Sequence, residues 1–366
     1  AVILAAGQGT RMRSSRPKVL HEVGGAPLLH HAMRAALAAG PERLAVVVGH
    51  GGQEVAASAQ ALHPQTRICT QAQQRGTGHA VLAAAPALEG FDGDLVVLFG
   101  DTPFIRPGTL AAIREARAQG ADLVALGFEA AEPGRYGRLV TGPGRMLERI
   151  VEARDATPEE LAIRLCNSGV MAGDCATILR LLGRVGTDNA QGEVYLTDIM
   201  ALAHAEGRAP RVVLCDEAET LGVNDRAQLA AAEAAFQARA RAEAMAGGAT
   251  LVAPETVFLA WDTALGPDVT VEPHVVFGPG VRVAEGSTIR AFTHLEAAEI
   301  GPGCSIGPHA RLRGGTRLAE GVRIGNFVET KNADLGRGVK AGHLTYLGDA
   351  RVGAETNFGA GTITCN

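Results

Sequence analysis

Apolar positions arrive in two different rhythms along this chain. Over residues 1–224 they come in short, near-continuous runs, "VILAA" at 2–6, "LAVVV" at 44–48 and "DLVVLF" at 94–99. Between the runs lie stretches with helical spacing, such as "LLHHAMRAALAAG", closed by Gly40, and "GHAVLAAAPAL". Strands without polar alternation are buried on both faces, so the pattern predicts a parallel α/β sheet covered by helices on either side. Ligands bind such sheets at the carboxyl ends of the strands. The loop after the first strand and Asp101 both fall there.

Residues 225–246 read as one Ala-rich helix stopped by Gly247 and Gly248, which predicts a connector between domains. Beyond it the period becomes six. Val271, Phe277, Val283, Ile289 and Leu295 are six apart. After a slip of one residue come Ile300, Ile306, Leu312, Leu318, Ile324 and Thr330. Two further slips give Leu335, Ala341 and Leu347, then Val352, Phe358 and Thr364. Two places before these positions stand small or β-branched residues, as at Val269, Val275, Val281, Ala298, Cys304 and Ala310. Six residues make one side of a triangular coil, so the spacing predicts a parallel β-helix of hexapeptide repeats over residues 249–366. The rhythm is still in register at Thr364 and repeat arrays end in a cap; further coils are therefore expected beyond Asn366. The chain also opens inside a strand without Met, and a few residues are expected ahead of Ala1.

Composition narrows the function. Of 366 residues 46% are hydrophobic but only 4% aromatic, so the core is aliphatic. A net charge of −5 gives no footprint for nucleic acid or an anionic membrane, and no apolar run approaches a membrane span. The six scattered cysteines form no C-x-x-C pair, as expected of reduced thiols in the cytoplasm. Lysine is rare: Lys18, Lys331 and Lys340 stand against thirty-one arginines, a bias that draws attention to lysines inside motifs, where a compact point charge is useful, while Lys340 is left without a role.

The stretch "ILAAGQGTRMRSSRPK" (3–18) is strand, glycine turn, then cations. Gly7 and Gly9 allow backbone N–H groups to approach a phosphate closely. It is not a dinucleotide fingerprint, since Met12 stands where the third Gly would, and it lacks the Gly-Lys-Ser/Thr of a Walker loop. "VVLFGDTP" ends a strand on Asp101, which can hold Mg²⁺ near phosphates or cap a helix after Pro103. "QAQQRGTGHA" sets Gln71 and Gln74 beside a glycine turn, where amides can read a base edge.

Taken in order, "LAAGQGTRMRSSRPK", "QRGTGHA", "FGDTP", "YGRLV", "VEARDAT", "NSGV", "NAQGEVYLTD" and "GVNDR" resemble the sugar-1-phosphate nucleotidyltransferases. With the repeat and "KAGHLTYLGDA", the chain resembles the bacterial members that join this domain to a hexapeptide-repeat acetyltransferase. The resemblance implies a Rossmann-like nucleotidyltransferase domain over 1–224, a helical linker over 225–248 and a left-handed parallel β-helix over 249–366. It implies acetyl transfer from acetyl-CoA to glucosamine 1-phosphate, then uridylyl transfer from UTP to N-acetylglucosamine 1-phosphate with release of pyrophosphate, in a cytoplasmic homotrimer that supplies UDP-N-acetylglucosamine for cell-wall synthesis.

The same resemblance assigns roles. Leu4, Ala5, Ala6, Gly7, Phe99 and Gly100 would line the nucleotide, with Arg11 and Lys18 on its phosphates. Gln71, Gly76 and Thr77 would recognise uracil. Asp101 and Asn224 would bind Mg²⁺. Gly137, Glu152, Asn167, Tyr195 and Thr197 would surround the sugar. In the repeat domain His343 is implied as general base. Arg313, Lys331, Tyr346 and Asn357 are assigned to glucosamine 1-phosphate, and Ala360 and Asn366 to acetyl-CoA. From the chemistry alone, imidazole has an ordinary pKa of about 6.5 and suits proton removal from an attacking amine. Two rival readings, a one-activity nucleotidyltransferase with a purely structural β-helix and a non-catalytic sugar-nucleotide sensor, leave the "KAGHLTYLGDA" cluster or the Lys18 and Asp101 pair without a purpose.

Overall fold

A computed structural model describes residues 1–49, 51–142 and 146–364. The chain divides into two compact units, Ala1–His21 with Pro27–Leu229, and Glu22–Ala26 with Ala230–Asn366.

The first unit is built on nine strands: β1 (Val2–Ala5), β2 (Ala45–Gly49), β3 (Arg67–Gln71), β4 (Asp94–Phe99), β5 (Leu123–Glu129), β6 (Arg138–Thr141), β7 (Leu147–Val151), β8 (Leu165–Asp174) and β9 (Arg211–Leu214). They pair in the order β9-β5-β8-β4-β1-β2-β3, with the β6–β7 hairpin attached through β8. Successive residues of a strand point to opposite faces, and here both faces are covered. Val2, Leu4, Val47 and Val97 face a cluster that includes Val81, Ile178 and Ile199. Ile3, Ala5, Val46 and Leu98 face another that includes Leu29, Met33, Val55 and Ile113. The covering helices are α1 (Leu28–Ala38), α2 (Gln53–Leu62), α3 (Thr77–Ala83), α4 (Pro107–Ala118), α5 (Cys175–Leu182) and α6 (Asp198–Ala205). Burial on both sides is why these strands carry no polar alternation.

The sheet departs from the all-parallel expectation at β8 and at the β6–β7 hairpin, whose strands run antiparallel to each other and, through β6, to β8. β8 runs antiparallel to both of its sheet neighbours, β4 and β5. The chain reaches it from the β6–β7 hairpin through a single four-residue helix, Pro158–Leu161, rather than through the long crossover that parallel neighbours need. Its register slips between Asn167 and Met171. This bulge, at "NSGV", falls inside a stretch that sequence marked for the site.

The helix α7 (Arg226–Ala246) leads into the β-helix coils of the second unit. Strands pair in parallel with the strand one coil on. Val271 pairs with Ile289 and Ile289 with Ile306, and the column continues through Ile324, Ala341 and Phe358. A second column runs Phe277, Leu295, Leu312, Thr330, Leu347, and a third Leu265, Val283, Ile300, Leu318, Leu335, Val352. The six-residue rhythm is thus the three sides of a triangular coil. All three slips fall at one corner, between the second and third columns, where Ala297, Asn332 and Asp349 turn the chain at positive φ. Ile289, Leu295, Ile306 and Leu312 are fully buried, each side chain contributing roughly 1.5–3 kcal/mol by leaving water. Thr330, the one polar member of the columns before Thr364, hydrogen-bonds the buried Thr316 hydroxyl at 2.9 Å.

Candidate active site

β1 stops at Ala5 and the chain turns through Gly7 and Gly9 into a short 3₁₀ turn. Gly9 has φ +62, and a Cβ there would stand 2.5 Å from the Lys18 Cβ; only glycine lets this loop close over that lysine. At Gly7 a Cβ would meet nothing within 4 Å, because it would project into open space. That space is a cleft of about 230 Å³ lined by Leu4, Ala5, Ala6, Gly7, Lys18, Gln71, Gln74, Gly76, Thr77, Phe99 and Asp101, among others. Gly100 stands behind it, its N–H donated to the Leu4 carbonyl at 2.9 Å.

Three polar groups from distant parts of the chain meet here. The Lys18 ammonium donates to the Asp101 carboxylate and, at 3.1 Å, to the Asn224 Oδ1. Lys18 and Asp101 keep only 11% and 21% of their side-chain surface exposed. Asp101 caps no helix: α4 begins at Pro107 with Arg106 as its N-cap. The second wall is the Arg75–His79 turn. Gly76 has φ +101, and a Cβ there would press on the Val194 carbonyl at 2.6 Å. Gly78 N–H donates to that same carbonyl at 2.9 Å, and the Leu196 N–H donates to the Thr77 hydroxyl at 3.1 Å. Gln71, 4% exposed, donates from Nε2 to the Gly76 carbonyl at 3.1 Å.

A wider cavity of about 960 Å³ is lined by Arg11, Tyr136, Glu152, Tyr195, Gly222 and Asn224. It adjoins the cleft through the Lys18–Asn224 contact. Arg11 therefore lines the same cavity as Glu152 and Tyr195, whereas Lys18 lines the cleft itself. The Thr197 hydroxyl donates to Glu152 at 3.3 Å. A Cβ on Gly137 would lie 3.5 Å from that carboxylate and 3.6 Å from the Asn167 Cβ, so Gly137, Glu152, Asn167 and Thr197 form one group. Burial pushes the Glu152 carboxyl above its ordinary range, opposed by the Thr197 hydrogen bond. Burial likewise raises the Tyr195 phenol, whose hydroxyl is buried with no hydrogen-bond partner among the described residues. Volume alone does not mark the site: a cavity of about 840 Å³ opens by Ala1 and Asp94, at the strands' other ends, lined mainly by apolar and arginine side chains.

The MobA-like NTP transferase domain family matches residues 1–167. A protein of Cereibacter sphaeroides named "Bifunctional protein GlmU" is 61% identical over 365 residues, covering 100% of this chain and 80% of its own length. One of the same name from Paracoccus denitrificans is 56% identical, covering 100% of this chain and 81% of its own. The chain belongs to the GlmU family. A UDP-glucose pyrophosphorylase solved in complex with UDP-glucose matches 65% of this chain and 98% of its own with a TM-score of 0.53 and 19% identity, a likeness of fold.

The second candidate site lies on the outer face of the family's second unit. Two long strands, Arg323–Lys331 and Lys340–Gly348, carry the chain around a corner at Phe327 and Leu344, both at positive φ. Their register sets Asn326 beside His343 and Glu329 beside Tyr346. Arg313, one coil back, donates to Glu329 at 3.0 Å. Tyr346 folds over Gly348, where a Cβ would stand 2.5 Å from its hydroxyl. His343, Asn357 and Ala360 are exposed. The register brings Arg313, Lys331 and Tyr346 onto adjacent coils. Asn366 lies outside the described residues.

Sequence reasoning passed over Glu193 and Val194, which wall the cleft, and His79, which contacts Gln71 at 3.0 Å. The quoted motifs contained all three. Only the fold shows that two of those motifs dock on one another.

Proposed function

We propose that the first unit transfers a uridylyl group from UTP to N-acetylglucosamine 1-phosphate, and that the second acetylates glucosamine 1-phosphate to supply that substrate. The observation that carries the first reading is the meeting of Lys18, Asp101 and Asn224 beside an open glycine turn. Backbone N–H groups at Gly7 and the Lys18 ammonium would hold phosphates there. Gln71, Gly76 and Thr77 would hold the base, and Glu152, Asn167 and Thr197 the sugar hydroxyls. Phosphate monoesters have a second pKa near 6, so the nucleophile arrives ionised and no side-chain base is required. The reaction then needs two anions in line and their charge neutralised.

The residues present fit Mg²⁺. Asp101 and Asn224 already present two hard oxygens to a cation, the Lys18 ammonium. One carboxylate and one amide, completed by substrate phosphates, is an ordinary ligand set for this ion. When bound, the ion would neutralise charge at the reacting phosphates.

In the second unit, His343 would accept a proton from the glucosamine amine as its nitrogen bonds the acetyl carbon and the thioester C–S bond breaks, coenzyme A leaving as thiolate. Arg313 and Lys331 would hold the phosphate. We place the enzyme in the cytoplasm, where both activated substrates are made. A homotrimer is supported by an exposed edge on which His274, Phe292, His309 and Phe327 stack at 4.9–5.4 Å, with Phe292 54% and Phe327 59% exposed.

The test supplies UTP, Mg²⁺ and N-acetylglucosamine 1-phosphate and measures pyrophosphate, then supplies acetyl-CoA and glucosamine 1-phosphate and measures free thiol. No pyrophosphate from a folded protein overturns the first reading. Release of thiol independent of the sugar phosphate overturns the second.

A further inference from the structure

A glutamine that reads a nucleobase faces an ambiguity of its own making. Its amide presents an acceptor on one side and donors on the other, in nearly the same shape. Turned one way it accepts from uracil N3–H; turned the other it donates to cytosine N3, a lone pair. A glutamine free to turn therefore selects neither pyrimidine.

In this protein the amide is held from behind. Gln71 closes β3 and is buried at 4% exposure while lining the cleft. Its Nε2 lies 3.1 Å from the Gly76 carbonyl oxygen and 3.0 Å from the His79 Nδ1. A carbonyl can only accept, so the edge facing Gly76 is the NH₂. That leaves the second N–H for His79, whose Nδ1 must then accept, with the ring proton on Nε2. Both amide protons are used, and among the described residues no donor reaches the Gln71 Oε1. The oxygen remains for a ligand.

The two anchors differ in kind. Gly76 is held within a turn whose flanking residues are tied to Val194: the Val194 N–H donates to the Arg75 carbonyl at 2.8 Å and the Gly78 N–H donates to the Val194 carbonyl at 2.9 Å. His79 sits in the first turn of α3, three residues on, and adds the second contact that a single carbonyl cannot supply. One hydrogen bond leaves the amide able to swing about its terminal torsion; two, from different directions, lock it.

We propose that His79 is a positioning residue that sets nucleobase choice, holding the Gln71 amide with its oxygen toward the base so that the cleft takes an imide N3–H, as in uracil, and refuses a ring nitrogen lone pair, as in cytosine. The inference rests on the reading of Gln71 as the base contact. A site built to pair one polarity rejects the other because its buried group is left unpaired.

The experiment compares kcat/KM for UTP with that for CTP in the intact protein. His79→Ala is expected to lower the UTP:CTP ratio by at least about tenfold, the equivalent of roughly 1.4 kcal/mol, mostly through a higher KM for UTP. His79→Asn, which returns an amide oxygen near the Nδ1 position, is expected to restore most of the ratio. Gln71→Ala is expected to bring the ratio close to one. A ratio unmoved by Gln71→Ala overturns the base-reading assignment itself. A ratio that collapses with Gln71→Ala but holds within twofold in His79→Ala overturns the proposal for His79 alone. So does a His79→Ala enzyme slowed equally with both nucleotides, which marks a merely structural histidine.

Discussion

The two candidate sites are built on opposite plans. In the first unit the site is a convergence. Lys18, Gln71, Asp101, Glu152, Asn167 and Asn224 come from strands, turns and loops scattered over more than two hundred residues, and the ends of a mixed sheet bring them together. In the second unit the site is a register. Arg313, Lys331 and Tyr346 stand on successive coils because the chain advances one coil at a time, and they remain on an outer face. A convergent site is enclosed by its own chain and can be read from one protomer. A register site on a solenoid stands on one face of the stacked coils. Damage should follow the same division: the first site fails through single groups, the second through coil geometry.

The sharpest way to separate the plans is Asp101→Ala. Uridylyl transfer should fall by about 10³-fold or more, roughly 4 kcal/mol of barrier, with an unchanged melting curve and unchanged acetyl transfer. Pyrophosphate release within about tenfold of wild type would remove Asp101 from the site. The mirror experiment is His343→Ala, assayed in a polypeptide of the relatives' full length. Acetyl transfer should drop roughly 10²–10⁴-fold, the range of general-base catalysis, with uridylyl transfer intact. Robust thiol release from that variant would assign the proton elsewhere.

Lys18→Arg should cost less, about 10- to 100-fold in uridylyl transfer. The charge survives, but a planar fork must fit beneath Gly9 where a compact ammonium now touches two oxygens. Near-normal turnover would show that charge alone suffices. In the repeat, Leu312→Ala empties a fully buried column position beside Arg313. It should destabilise the second unit by roughly 2–5 kcal/mol, read as an earlier unfolding transition, and weaken acetyl transfer before uridylyl transfer. Equal loss of both would mean that the two units do not unfold separately.

The smallest effect concerns Glu152. Burial raises its carboxyl in the folded state, so the stability this group contributes is present at low pH and lost as pH rises through the folded value. Glu152→Gln should therefore raise the first unit's melting temperature slightly at pH 8, and the gain should vanish below about pH 4, where the native carboxyl is protonated in both states. A gain that persists at low pH would trace to packing instead.

Much of this was legible beforehand because the physics is local. Unbroken apolar runs announce strands covered on two faces, and Val2 to Ala5 are buried on both. The six-residue rhythm is the side of a coil, and even its slips mark one repeated corner. Glycines at Gly9 and Gly76 declare turns that no side chain would tolerate. What sequence could not fix was direction and contact. The strand Leu165–Asp174 is largely buried, as its neighbours are, yet runs the other way, because burial constrains which side chains a strand carries and not the direction in which it runs. That Lys18 lines one cavity and Arg11 another, that Val194 backs Gly76, and that His79 locks Gln71 depend on which loops meet across space. Such meetings are settled by the closing of the whole sheet, after each segment has chosen its own conformation.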